Sequence, residues 1–248
     1  MNNVQAFSLR SDQYARHRPS YPRSLFDHLS GLADQHELAW DCATGNGQAA
    51  VASAEFFARL EATDISAEQI RHRLPHPRVA YHVGSAEHAP LAGNVFDAVL
   101  VAQAVQWVNL ERFYAEALRV LKPNGVLAVW GYGLFEIQPE IDRVIANELF
   151  EPIDSFWAEG NRLLMNGYAA LPFPLTEIQD RPALVMQVEW DLPQLSAYLR
   201  TWSAVKRSAA HFGIDPVARL ERALESAWGA PDKVWEVHMP LSLRVGRK

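Results

Sequence analysis

Apolar positions in the first half of the chain alternate between two patterns. Short continuous apolar runs are each followed by a segment whose apolar residues recur at helical spacing. "LAWDCA", from Leu38, reads as a buried strand and "GQAAVASAEFFA" as the helix after it. "RLEATDIS" is a short strand ending on an acid, and "SAEQIRHRL" a helix with Ser66 at its N-cap. "VAYHVGSAEH", "FDAVLVAQAV" and "GVLAVWGYG" read as the third, fourth and fifth strands. Between the last two, Leu110, Phe113, Tyr114, Ala117, Leu118 and Leu121 recur at helical spacing up to the stop signal "KPNG". Alternating strands and helices, with strands apolar throughout, predict a parallel sheet covered on both faces.

The second half has a different texture. Residues 134–180 carry Pro139, Pro152, Pro172 and Pro174 among aromatic and helical stretches, with no clear strand. That pattern predicts an insertion lying over the sheet's edge. "PALVMQVEW" is then a strand, "LPQLSAYLRTWSAVK" a helix, "PVARLERALESAWG" another helix, and "KVWEVHMPLSLRVGRK" a final strand. The expected organisation is a single domain over 1–248. Residues 1–37 form N-terminal cap helices, 38–133 a cofactor-binding half, 134–180 the insertion over an acceptor site, and 181–248 the C-terminal strands and helices.

A chain of 248 residues, 49% apolar and 21% charged, fits one large globular domain with a proper core. The formal charge of -6 argues against a dedicated nucleic-acid binder, which needs a basic face for phosphates. Cys42 is the only cysteine, which excludes an intramolecular disulfide and a cysteine-cluster metal site. The nine histidines show no H-E-x-x-H or similar ligand spacing, so no metal is expected. The opening "MNNVQAFSLRSDQYARHRPSYP" lacks the apolar core of a secretory signal, and no apolar run approaches the ~20 residues of a membrane helix. The expectation is a cytoplasmic protein with no membrane partner, monomer or homodimer.

The chemistry starts at "LAWDCATGNGQAA". Gly45-Asn46-Gly47, extended to Ala50 as G-x-G-x-x-A, follows the first strand, at the end where open parallel sheets bind ligands. Glycines there let the backbone approach a cofactor, and the following helix adds free N–H groups. The same turn is equally a tight strand-to-helix connection. Asp64 closes the second strand, where a carboxylate can accept from both hydroxyls of an adenosine ribose or merely open the next helix. After the third strand stand Ser85, Ala86 and Glu87, a possible reader of an adenine edge or a plain polar loop. Gln103, Ala104, Gln106 and Trp107 end the fourth strand, facing the same crevice or satisfying packing. Each feature is ambiguous alone, and all four fall at the same end of successive strands.

On these residues the chain resembles a class I S-adenosylmethionine-dependent methyltransferase of the small-molecule kind called type 11. The resemblance runs from "YARHRPSYP" through "WDCATGNGQAA", "ATDIS", "GSAEHAPL" and "FDAVLVAQAVQWV" to "LRVLKPNGVLAVWG", about half the chain. The tail from "YLRTWSAVKR" to "LSLRVGRK" is similar to members near trans-aconitate methyltransferase. The resemblance implies an α/β, Rossmann-like fold: a seven-stranded, mostly parallel sheet with helices on both faces, its last strand antiparallel, and a helical lid insertion after strand 5. It implies S-adenosyl-L-methionine as cofactor. Asp41, Ala43, Gly45 and Gly47 would form the methionine-side turn, and Asp64 and Ile65 would hold the ribose. Ser85, Ala86 and Glu87 would form the adenine end, Gln103 and Ala104 the far wall, with Tyr14 and Arg18 as a cap. The family usually has glycine where this chain has Ala43, which implies a slightly tighter pocket. An NAD(H)-dependent oxidoreductase also uses a glycine turn and a ribose acid, with apolar residues running directly into the first glycine. Here Asp41 and Thr44 intervene, and an acid four residues before Gly45 suits the amino group of a methionine moiety.

Methyl transfer from a sulfonium is an in-line displacement, so positioning of a small-molecule acceptor dominates. Aromatic faces can hold the sulfonium, each worth roughly 0.5–2 kcal/mol. Tyr14, Trp107, Trp130 and Tyr132 are the candidates, and core packing is the competing role for most of the eight tryptophans. A carboxylic-acid acceptor is already ionised at neutral pH and needs an arginine, for which Arg18, Arg162 and Arg200 are available. A hydroxyl or amine acceptor needs a base, for which His17 and His88 are available. Trp107, Tyr14 and His17 are thus the expected catalytic residues. Phe150, Phe156, Trp157 and Tyr168 in the insertion suggest the roof of a partly apolar acceptor pocket, or else core. A non-catalytic cofactor-binding sensor is the alternative to an enzyme.

Overall fold

The computed structural model describes residues 20–248. Tyr14, His17 and Arg18 therefore lie outside the described residues. The chain enters with helix α1 (Arg23–Leu32). There follow β1 (Leu38–Cys42), α2 (Gln48–Ser53), β2 (Arg59–Asp64), α3 (Ala67–Arg71), β3 (Val79–Val83), β4 (Phe96–Ala102), α4 (Leu110–Val120) and β5 (Leu121–Tyr132). The second half holds α5 (Pro139–Ile145), α6 (Glu159–Met165), β6 (Thr176–Glu177), β7 (Leu184–Trp190), α7 (Leu192–Arg200), α8 (Ser203–Phe212), α9 (Pro216–Trp228) and β8 (Trp235–Arg247).

The sheet runs β3-β2-β1-β4-β5-β8-β6, and β7 also pairs with β8. Strands β1 to β5 are mutually parallel, and β8 lies antiparallel to β5. The long last strand explains why eight strands fill a sheet expected to have seven. Leu241–Arg247 of β8 pairs with β5, Trp235–Leu241 pairs with β7, and Gly246 and Arg247 also pair with β6. The Rossmann-like architecture with a last antiparallel strand is as the sequence implied.

Alternation along the central strands divides the core in two, because successive side chains of a strand point to opposite faces. Ala39, Ala98, Leu100, Ala128 and Trp130 pack with Leu25, Phe26 and Leu29 of α1 and with Ala49 and Ala50 of α2. Trp40, Val99, Val101, Leu127 and Val129 face the other way, onto Phe113, Ala117 and Val120 of α4. A third cluster joins Ile141, Ile145, Leu149 and Ile153 of the insertion to α7, α8 and α9 through Leu195, Trp202, Leu220 and Trp228.

Several boundaries differ from the sequence reading. The helix expected over "GQAAVASAEFFA" stops at Ser53, and Phe57 drops into the core before β2. "KPNG" lies within β5, as a loop-out: Phe96 faces Leu121 and Ala98 faces Val126, with Asn124 in the left-handed region at φ 65°. The helix expected over "LPQLSAYLRTWSAVK" is two helices, α7 and α8. Trp202 between them is extended, and its ring stacks on Phe150 at 5.7 Å and meets Trp157 at 5.3 Å. The insertion is helical but contains the short strand β6, fixed by pairing with β8. No helix of the described residues is long and apolar enough to cross a membrane.

Candidate functional site

The turn after β1 is built around a buried acid. β1 is central, flanked by β2 and β4, so Asp41 near its end is fully buried. Its Oδ2 accepts from the Thr44 hydroxyl, while Oδ1 is buried and has no hydrogen-bond partner among the described residues. Burial pushes the Asp41 carboxyl up to about 7; hydrogen bonding by the Thr44 hydroxyl and the Ala50 amide opposes this, and the Asp64 charge adds to it. Buried carboxylate oxygens are normally hydrogen-bonded, and one left bare is best satisfied by a cation or N–H donor.

The chain then reverses tightly. The Thr44 amide donates to Thr63 O at 2.9 Å and the Gly47 amide to Thr44 O at 3.0 Å. Ala43, Gly45 and Gly47 are all left-handed, at φ 56°, 59° and 94°. The usual glycine at position 43 thus has a backbone reason, and alanine there carries strain of about 1–2 kcal/mol. A Cβ on Gly45 would meet nothing within 4 Å, whereas one on Gly47 would lie 2.1 Å from the Tyr81 hydroxyl. Tyr81, on β3, thus packs over the turn, and its hydroxyl donates to Leu74 O at 2.7 Å. Only the contact in space reveals Tyr81, since in sequence it is one residue of a plain strand.

Asp64 faces this turn. Its Oδ2 accepts from the Gly45 amide at 2.9 Å and its Oδ1 from the Ser66 amide at 2.8 Å. Burial raises its carboxyl, and the two amides counter the rise. It is therefore both the acid ending β2 and a brace of the glycine turn. Ile65 beside it is 60% exposed. After β3, the Ser85 hydroxyl accepts from the Glu87 amide at 3.2 Å, and Glu87 Oε1 accepts from the Asn109 amide at 2.7 Å. Ala86 turns its side chain into the core with Trp40 and Cys42, leaving only its backbone for the crevice. His88 is exposed.

At the end of β4, Gln103 is left-handed at φ 57°. Its amide donates to Trp130 O at 2.8 Å and its Nε2 to Tyr132 O at 3.1 Å. Ala104 follows, half-buried, and leads into the short 3-10 turn Val105–Trp107. Gln106 Nε2 donates to Gln103 O at 3.1 Å, and Gln106 Oε1 accepts from the Tyr168 hydroxyl at 2.8 Å. Trp107 packs on α6, where a Cβ on Gly160 would sit 2.9 Å from its ring.

The remaining expected groups take other roles. Trp130 is fully buried under Tyr21 and Phe26, with ring centroids at 5.7 and 6.2 Å, and Tyr132 is buried in the third cluster. Phe150, Phe156 and Trp157 pack against the third cluster, so the competing core role describes them. Arg162 is held by Asp154, and Arg200 by Asp215 and Glu221. Among the described residues, no cluster of three or more metal-type ligands occurs.

The acid, the glycine turn, the second acid and the glutamine loop lie at the carboxyl ends of the adjacent parallel strands β1, β2 and β4, along one edge of the sheet. Comparison with known proteins gives this arrangement its family. Residues 40–129 match the family described as Methyltransferase domain. A solved structure from Anaeromyxobacter dehalogenans, provisionally assigned as a type II methyltransferase, has a TM-score of 0.87 at 40% identity, over 93% of this chain and 97% of that one. The chain belongs to the class I S-adenosylmethionine-dependent methyltransferases. A Dictyostelium discoideum protein provisionally described as a methyltransferase is 28% identical over 249 residues, covering 98% of this chain and 94% of that one. A malonyl-[acyl-carrier protein] O-methyltransferase of Dechloromonas aromatica is 36% identical over 110 residues, 44% of this chain and 41% of its own length. The family relationship replaces the NAD(H) oxidoreductase reading, and the enzyme is a methyltransferase.

Proposed function

We propose that this methyltransferase acts in the cytoplasm on a small organic acceptor, a carboxylic acid being the favoured class. The observation that carries the site assignment is Asp41: a fully buried carboxylate whose Oδ1 lacks a partner among the described residues, beside a turn whose Gly45 leaves room for a ligand. That combination fits the amino group of a methionine moiety. When bound, S-adenosyl-L-methionine supplies an electrophilic methyl group on a sulfonium.

The chain's own residues do the rest. Asp41 holds the amino group, and Ala43, Gly45 and Gly47 keep the turn backbone close to it. Each Asp64 oxygen already accepts one amide and retains a lone pair for a ribose hydroxyl. Ile65 offers an exposed apolar surface to the nucleoside, Ser85 to Glu87 face its adenine end, and Gln103 with Ala104 form the far wall. Trp107, packed on α6 just after that wall, is assigned as the aromatic group nearest the reacting region. From the N-terminal segment outside the described residues, Tyr14 is assigned to the cap and Arg18 to the cap and the acceptor carboxylate; an ionised acid needs no base, so His17 would act as one only on a hydroxyl or amine acceptor. Of the three arginines considered for a carboxylate, Arg162 and Arg200 are paired with protein acids, which leaves Arg18. The similarity to a protein named for O-methylation of a malonyl group supports an oxygen acceptor.

Calorimetry with S-adenosylhomocysteine and with NADH tests the cofactor assignment: the first binds and the second does not. Incubation with methyl-labelled S-adenosylmethionine and a panel of small carboxylic acids, phenols and amines tests the acceptor. Label is expected in an acid as a methyl ester. Label in amines alone would overturn the acceptor class, and cofactor binding with no transfer to any panel member would favour a sensor.

A further inference from the structure

We propose that Tyr168 is a positioning residue for the cofactor wall, acting through Gln106 on Gln103. This rests on the assignment of Gln103 to that wall. Tyr168 comes from the insertion, more than sixty residues beyond β4, yet it is fully buried against the strand ends. Its backbone is fixed from one side: Arg244 Nη1 donates to Tyr168 O at 3.1 Å and to Leu171 O at 2.5 Å. Its hydroxyl is fixed from the other side by donating to Gln106 Oε1. Gln106 can accept there only because its Nε2 points the opposite way, to Gln103 O at 3.1 Å. Gln103 Nε2 in turn donates to Tyr132 O. The run from Tyr168 to Tyr132 O is a single ordered chain of donors and acceptors with one consistent direction.

The chain has a backbone to hold. Gln103 and Tyr168 are both non-glycine residues in the left-handed region, at φ 57° and 59°. Such residues persist where their surroundings over-determine them. A Cβ on Gly131 would lie 2.8 Å from Gln103 Oε1 and 2.9 Å from the Tyr168 hydroxyl, so β5 has been kept bare where the two side chains meet. Removing the Tyr168 hydroxyl leaves the part-buried Gln106 oxygen without its donor and frees the Gln106 amide to turn. Gln103 then loses one of the three bonds that hold its left-handed conformation, the others running to Trp130 O and Tyr132 O.

The test measures S-adenosylhomocysteine affinity by calorimetry and melting temperature by circular dichroism, on the full chain. Tyr168→Phe is expected to weaken binding by about fivefold or more, the worth of one lost hydrogen bond. Tyr114→Phe is the control. It also loses a buried tyrosine hydrogen bond to the insertion, to Pro172 O at 2.6 Å, but has no link to Gln103. It is expected to lower the melting temperature comparably and to keep the affinity within about twofold. Gln106→Leu should reproduce the Tyr168→Phe loss, and the double variant should be no weaker than the worse single one, because members of one chain are not additive. Should Tyr168→Phe fail to fold, Gln106→Leu against Tyr114→Phe carries the comparison. Unchanged affinity in both Tyr168→Phe and Gln106→Leu, equal weakening by Tyr114→Phe, or losses that multiply would overturn the proposal. A wild-type chain that does not bind S-adenosylhomocysteine would instead remove the cofactor assignment on which it rests.

Discussion

Asp41 combines an unfavourable position with a specific use. A carboxylate whose folded pKa stands near 7 instead of 3.8 favours the unfolded state once it must ionise. Between those two values the unfolded chain has released its proton while the folded chain retains it. Stability from this group is therefore lost as pH rises from about 4 to about 7, and is constant above. The span corresponds to at most about 4 kcal/mol. Asp64, also raised, acts in the same direction, whereas Glu116, Glu177 and Glu221, lowered by arginines or amides, act oppositely. The difference between wild type and Asp41→Asn isolates the single group. The ligand-free Asn variant is expected to melt several degrees above wild type at pH 8 and to converge with it near pH 4. Equal melting temperatures at pH 8 would show that Asp41 is not a buried, destabilising acid. The sequence pointed to this acid by its spacing from Gly45; that its Oδ1 is buried and without a partner among the described residues is seen only in the folded chain.

Among the elements, the insertion over residues 134–180 is the one whose attachment was least legible. Its exit is fastened by Arg244 on β8, whose guanidinium donates to Glu177 at 2.9 and 2.7 Å as well as to the Tyr168 and Leu171 carbonyls. Arg244→Met is expected to cost about 2–3 kcal/mol in urea unfolding, reduced from a fully buried pair because Arg181 still faces Glu177. Limited proteolysis should then cut first within residues 134–180. A stability within about 0.5 kcal/mol of wild type would mean that the insertion is held elsewhere. Local pattern was a good guide where an element's own apolar run or helical stripe sets its burial, as in β1, β4, α4 and α9. It failed where a distant partner set the boundary. Trp202 breaks the expected long helix because its ring is taken into the aromatic cluster with Phe150 and Trp157, and β6 exists only because β8 extends far enough to pair with it.

At the scale of the whole molecule, the candidate site exists because the parallel strands deliver their carboxyl ends to one edge. With Asp41 as the anchor for a cationic amino group, S-adenosylhomocysteine affinity is expected to be steady above about pH 7 and to fall up to tenfold per unit below it, as the acid takes up its proton. The Asp41→Asn variant should bind more weakly and lose this slope. Calorimetry from pH 5.5 to 8.5 decides it, and a slope that survives in the variant would assign the titration to another group. The sequence by itself determined the alternation of strands and helices, the antiparallel last strand by way of the family resemblance, and the acid–glycine turn with its partner Asp64. The alternation and the turn are local or periodic, so each is written in a short stretch of sequence, and Asp64 is legible because it ends the very next strand. Tertiary structure alone decided that Tyr81 covers the turn, that Arg162 and Arg200 are already paired, and that Tyr168 reaches Gln106 across the sheet's edge. These contacts span from eight positions, for Arg162 and Asp154, to more than sixty, for Tyr168 and Gln106, and they are fixed by how segments pack and not by a repeating spacing along the chain.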